Sequence, residues 1–242
     1  MRIRVAERLV SFDPALSQGL TELIELLSQG ELGPARARAE ILLRRYPEQA
    51  ELWRLSGVCA LQQGEFDTAR RALDQALKLA PQSVESWCNL ASLHTAQREF
   101  GEAERALRHA LSLSPHHAAA LNNLGSLLDA RGDYYGAAEC FAKAISQRPD
   151  YARAWVNQAA ALLSVRQLNR AEASARRAVQ LAPHWADAHF ILGNVLNAVR
   201  KPGALEAWRE AARLAPAYPQ YQFQLGMAEE EEGIELATEH GP

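Results

Sequence analysis

The chain is poor in the residues on which most protein chemistry depends. Its cysteines, Cys59, Cys88 and Cys140, are odd in number and far apart. That does not build a disulfide framework and fits a reducing cytoplasm. Lysine stands only at Lys78, Lys143 and Lys201, so arginine carries most of the positive charge; with abundant alanine, this bias points to a GC-rich bacterial source. No apolar run approaches the roughly 20 residues that span a bilayer, and residues 1–14, with three arginines, lack the apolar centre of a secretory signal. No membrane insertion is expected.

Missing too are GxGxxG, a Walker A loop, CxxC, HExxH and GxSxG. The chain is expected to be no enzyme and to hold no cofactor. His116 with His117, and His184 with His189, bring too few partners together for a metal. Cys88 has no histidine placed to activate it and reads as an inert small residue. The net charge of -3 is spread over both signs, with Arg70, Arg71, Arg105, Arg108, Arg176 and Arg177 interleaved with Glu102, Glu104 and Glu172. An unopposed basic face for nucleic acid is therefore excluded.

What is present is a period. Pro47, Pro81, Pro115, Pro149 and Pro183 stand at one constant interval, and Pro216 arrives a single position early. Alanine stands five residues before the proline at Ala76, Ala110, Ala144, Ala178 and Ala211, and twelve before it at Ala35, Ala69, Ala103, Ala137, Ala171 and Ala204. Trp53, Trp87 and Trp155 occupy one recurrent slot, with Leu121 and His189 in its place elsewhere, and Gly57, Gly125 and Gly193 stand four residues further on. Between prolines lie two apolar-periodic runs of helical length, which cannot bury their faces alone and must stack on neighbours.

This series resembles the tetratricopeptide repeat (TPR) family over about residues 16–218. The resemblance implies an all-α fold, a right-handed α-solenoid of stacked antiparallel helix pairs. The expected organisation is a leader at 1–15, a degenerate repeat at 16–49, repeats at 50–83, 84–117, 118–151, 152–185 and 186–218, and a capping helix and tail at 219–242. The leader is expected to fold over the first repeat, and residues 234–237 to pack back on the array.

Local signals fill in the repeats. Asp13-Pro14 marks a helix start, Leu20, Leu23, Ile24 and Leu27 share a face, and Gly30 stops that helix before Pro34 begins the next. Gly64 and Gly132 suit the left-handed conformation at a helix end, and Arg98, Arg166 and Arg200 hold the same slot. Phe66, Phe100, Tyr134 and Leu168 read as core. The tryptophans read as packing. The alanines read as the thin side of a close helix crossing, with Leu73, Leu107, Phe141 and Trp208 filling the wider gap. The residue missing from the last full repeat falls in Arg200-Lys201-Pro202, where Pro202 is expected to open the second helix.

In the family the first helix of each repeat lines a concave surface that binds extended peptides or partner helices. On that helix Asn89, Asn123 and Asn157 recur once per repeat, at the interval of the prolines. A row of amides offers donors and acceptors that can hold a peptide backbone without reading its side chains. With Ser92, Asn122, Ser126, Asp129, Asn194 and Asn197 it forms a polar, nearly uncharged strip, similar to the asparagine ladder in the TPR region of O-linked N-acetylglucosamine transferase. Leu55 and Ile191 interrupt it in the flanking repeats, and amides bridging adjacent helices are its structural alternative. A chaperone carboxylate clamp needs paired cations, whereas its slots hold Arg54, Val58, Asn89, Ala119 and Asn123. The expectation is a non-catalytic scaffold with a protein or peptide partner; the other reading is the substrate-recognition region of a glycosyltransferase or sulfotransferase.

Overall fold

The computed structural model describes residues 13–239, with side chains described through residue 230. The expectations for residues 1–12 and for the packing of residues 234–237 lie outside what it describes. Among the described residues there are thirteen helices and no strands. The chain forms two compact units, Met1–Leu113 and Ser114–Pro242. The first holds α1 (Pro14–Gln29), α2 (Leu32–Arg45), α3 (Ala50–Gln62), α4 (Phe66–Leu79), α5 (Val84–Ala96) and α6 (Phe100–Leu113). The second holds α7 (Ala118–Ala130), α8 (Tyr134–Gln147), α9 (Ala152–Ser164), α10 (Leu168–Leu181), α11 (Ala186–Ala198), α12 (Ala204–Leu214) and α13 (Pro219–Glu239).

Each odd-numbered helix from α1 to α11 packs on the even-numbered helix that follows it. Within the first unit α3 also touches α1 and α5, and within the second α9 touches α7 and α11. First helices therefore form a layer of their own, while second helices pack on the first helices at either side. The fold is an all-α solenoid of consecutive helix pairs.

The hairpins close where a small residue meets a large one. A β-carbon added at Gly57 would come within 2.8 Å of Leu73, one at Gly125 within 2.6 Å of Phe141, and one at Gly193 within 2.5 Å of Trp208. Phe141 is fully buried in the core that spans α8 to α11. Removing such a side chain from water stabilises by about 1.5–3 kcal/mol. The first hairpin inverts the arrangement: the equivalent slots hold Leu23 and Ala39, both buried in one cluster.

The recurrent tryptophan does more than pack. The indole Nε1 of Trp53 donates to the carbonyl of Pro47 at 2.7 Å, Trp87 to Pro81 at 2.8 Å and Trp155 to Pro149 at 2.9 Å. His189 stands in the tryptophan slot and its Nε2 donates to Pro183 O at 2.8 Å, which fixes the Nε2–H tautomer. Each bond satisfies a turn carbonyl left over beyond the preceding helix. Leu121 has no donor to offer Pro115.

Turns obey the left-handed requirement. Gly30, Gly64 and Gly132 have φ of 75, 76 and 83°, while Arg98, Arg166 and Arg200 adopt 62, 60 and 53°. Helix starts are capped by Asp13, whose Oδ1 accepts from Ala15 N at 2.9 Å, by Ser83, by Asp133, and by His117, whose Nδ1 accepts from Ala120 N at 3.2 Å.

Four expectations need correction. Ile24, read as part of the apolar face of α1, is half exposed, and so is Tyr134, read as core. Ile24 follows the buried Leu23 on α1, and Tyr134 is the first residue of α8. Pro34 is the third residue of α2, which starts at Leu32. Pro202 lies outside α12, which begins at Ala204 after Gly203 at φ 98°. Because it opens only after Gly203, the second helix has 11 residues, where α8 and α10 have 14.

Candidate functional site

The polar slots of the first helices fall on both units, and each unit is described by itself. On α5 of the first unit, Asn89 is half-buried, and its Nδ2 is shut off from solvent with no hydrogen-bond partner among the described residues. Ser92, also half-buried, donates to the Cys88 carbonyl one turn back at 3.1 Å. Its bonding is local to the helix.

On the second unit the row is partly cross-linked. Asn157 Nδ2 on α9 donates to Asn122 Oδ1 on α7 at 3.1 Å and lies 3.4 Å from Ser126 Oγ. Asn122, expected to face a groove, is only 2% exposed, so its amide oxygen is spent on holding Asn157. Ser126 is exposed and Asn123 half-exposed, and no hydrogen bond engages the Asn123 amide among the described residues. Asp129 is half-buried, and burial pushes its carboxyl above the usual range. On α11, Asn194 Oδ1 accepts from Trp208 Nε1 at 2.9 Å, whereas Asn197 is exposed. The structure thus joins Asn122, Ser126 and Asn157, and ties Asn194 to a second helix.

Polar substitutions inside hairpins are also paired. Gln158 replaces an apolar residue, and its Oε1 accepts from Ser174 Oγ at 2.9 Å, both side chains being buried. His94, buried on α5, donates from Nδ1 to Glu99 Oε2 at 2.6 Å. The His94 bond, with Arg70 beside it, holds the Glu99 carboxyl below its ordinary range.

Ion pairs repeat from hairpin to hairpin. Arg36 meets Glu65 at 2.7 Å, and one repeat further on Arg70 meets Glu99 at 3.2 Å. In the second unit the same two slots carry reversed signs: Glu172 meets Lys201 at 2.7 Å, with Arg176 at 3.0 Å. Lys201, then Arg176, lower the Glu172 carboxyl. Arg105 pairs with Glu102 and Arg108 with Glu104, so these arginines do not form an unopposed basic face. Sequence reasoning missed the reciprocal pairing, although its signal, opposite charges at one fixed separation on slots that recur with the repeat, was present.

Burial raises all three thiols above the ordinary cysteine value, Cys88 to about 12. Among the described residues no group of three His, Cys, Asp or Glu side chains is placed to hold a metal, and no helix is long and apolar enough to cross a membrane.

Helix pairs repeated in tandem, each packing on its neighbours, define an α-solenoid repeat protein. The tetratricopeptide repeat model matches residues 20–87, 88–152 and 127–184, and the chain belongs to that family. No curated protein sequence matches it. Among solved structures it is similar to a chain of the APC/C hetero-tetramer Cut9-Hcn1, at 20% identity and TM-score 0.77 over 87% of this chain and 42% of that one. It is similar to Pseudomonas aeruginosa pilF at 19% identity and TM-score 0.70, over 88% of this chain and 97% of that one. YrrB, a TPR protein with an unusual peptide-binding site, aligns at 16% identity and TM-score 0.55 over 77% and 96% of the two chains. At these identities the likeness is one of fold. The chain spans under half of the Cut9-Hcn1 chain.

Proposed function

We propose that this chain is a non-catalytic protein-interaction scaffold that holds an extended segment of another protein along the first helices of its second unit. Asn123 and Asn157 grip the segment's backbone, while Ser126, Asp129, Asn194 and Asn197 border it. Asn122 acts beneath them as a positioning residue, since its oxygen fixes the Asn157 amide. One observation carries the reading: Asn157 is held through its nitrogen while its carbonyl oxygen remains unspent among the described residues, and Asn123 has both amide groups unspent. Amides preorganised in this way lose little side-chain entropy on binding.

Family membership supports a protein partner, the peptide-binding site named for YrrB is in keeping with a peptide ligand, and the neutralised arginines support protein over nucleic acid. The free, separated cysteines support a reducing compartment.

The test is selection of linear peptides displayed on phage against the chain, followed by titration against a variant with Asn123→Arg and Ser126→Arg. These positions lie outside the buried core, so the variant keeps its fold while the face is obstructed. Selected peptides should lose binding to it. Peptides that bind both proteins equally well would refute the assignment of the face.

A further inference from the structure

The first unit holds a cleft of about 430 Å³ between α2, α3 and α4. From α3 it is lined by Trp53, Ser56, Cys59 and Ala60, and from α2 by Leu43. The repeat shows why there is space here between helices that are all in place. The slot of Ser56 holds Leu90, Leu124, Gln158 and Leu192 in α5, α7, α9 and α11, and the slot of Ala60 holds His94, Leu128, Leu162 and Leu196. Of these five helices only α3 has a small side chain at both positions. Cys59 stands where α5 and α7 carry Leu93 and Leu127. Together the atoms that α3 leaves out match an aromatic ring in size. The side chains around such a gap forgo contacts that a ring-sized body would restore.

Charge defines the polar end of the cleft. Arg36 is held by Glu40 at 3.2 Å and by Glu65 at 2.7 Å, which draws three of the charged residues of the lining into one bridge. Arg44 also lines the cleft, is exposed, and has no carboxylate partner among the described residues. Glu40, one helical turn before it, would be its ordinary partner but is turned to Arg36 instead.

We propose that this cleft binds a small aromatic carboxylate, its ring against Trp53 in the space beside Ser56 and Ala60 and its carboxylate on the Arg44 guanidinium. Aromatic pairs gain beyond the area they bury. A guanidinium takes a carboxylate through two parallel N–H donors, which ties the direction of the ligand to that of the cleft. The site lies wholly within the first unit and is independent of the peptide face proposed for the second.

The probe is indole-3-acetate, titrated into the full chain by isothermal calorimetry, with indole as the uncharged control. Saturable binding of the acid is expected, and indole should bind about tenfold more weakly or worse. Ser56→Leu supplies the residue that α5, α7 and α11 carry in that slot, and should abolish binding by filling the cleft. Arg44→Gln alters an exposed side chain and leaves the core untouched. It should weaken the acid to the level of indole, a readout independent of how the Ser56 variant folds. No saturable binding, equal binding of acid and indole, or undiminished binding to Ser56→Leu overturns the proposal. Peptides selected on the chain that displace the acid competitively also overturn it, by making a protein side chain the occupant.

Discussion

Phe141 lays its ring against the backbone of Gly125, so closely that a β-carbon on the glycine would stand 2.6 Å from Cε1 and 2.8 Å from Cδ1. The two positions are one packing unit, and neither residue type is explained without the other. Gly125→Ala should destabilise the second unit by about 1–3 kcal/mol, the usual cost of overpacking. Chemical unfolding followed by circular dichroism measures it. The double variant Gly125→Leu with Phe141→Ala should recover part of the loss of Gly125→Leu alone. Additive losses would count against the pairing.

Gly226→Ala is the control for that claim. Its β-carbon would meet nothing within 4 Å among the described residues, and alanine is favoured over glycine in a helix interior by about 1 kcal/mol. The same substitution that lowers the unfolding midpoint at Gly125 should leave it unchanged or raise it at Gly226.

Arg98, Arg166 and Arg200 hold φ values of 62, 60 and 53°. A residue with a β-carbon pays about 1–2 kcal/mol for that conformation, and glycine does not. Each Arg→Gly variant should therefore gain up to about 1 kcal/mol, less the greater freedom glycine gives the unfolded chain. A thermal melt of the triple variant, with its midpoint above that of the parent, is the expected outcome.

The Glu172 carboxyl lies below its ordinary range because of Lys201, and the Glu99 carboxyl because of His94. Depressed folded-state values contribute stability that is fully present above the unfolded carboxyl value of about 4.3 and lost as the pH falls through the folded values. Urea midpoints should stay level from pH 7 to about pH 5 and then fall. Glu172→Gln should be less stable than the parent at neutral pH, and the gap should narrow in acid. A constant gap would separate Glu172 from the pH dependence.

Much of this molecule is legible in its sequence because a repeat states the same thing several times. One proline or one glycine says little, but Pro47 to Pro216 at near-constant spacing fixes where every second helix ends. Gly57, Gly125 and Gly193 likewise fix which face meets the hairpin partner. What escaped were relationships between slots. The bond from Trp155 to the Pro149 carbonyl spans six residues, yet tryptophan alone reads as apolar bulk. His189, which looks like a lapse in the pattern, keeps the donor and loses only the bulk. The reversal of Arg36–Glu65 into Lys201–Glu172 is invisible to a search for identical residues, because the attraction survives when both signs change. Ile24 and Tyr134 were misplaced because periodicity gives the direction of a face but not its width. The amide row recurred plainly, but sequence could not reveal that Asn122, one residue away, would be buried and bonded to Asn157.

The account rests on amides that serve a ligand rather than the fold. Its most direct test is the variant Asn89→Ala, Asn123→Ala, Asn157→Ala, melted and then titrated with a peptide selected on the parent chain. The helical spectrum should stay that of the parent and the melting midpoint should fall by no more than loss of the Asn122–Asn157 bond gives, while affinity falls by about 1–3 kcal/mol, as lost hydrogen bonds would give. A lower melting midpoint with unchanged affinity would contradict it, and would make the row a brace between helices.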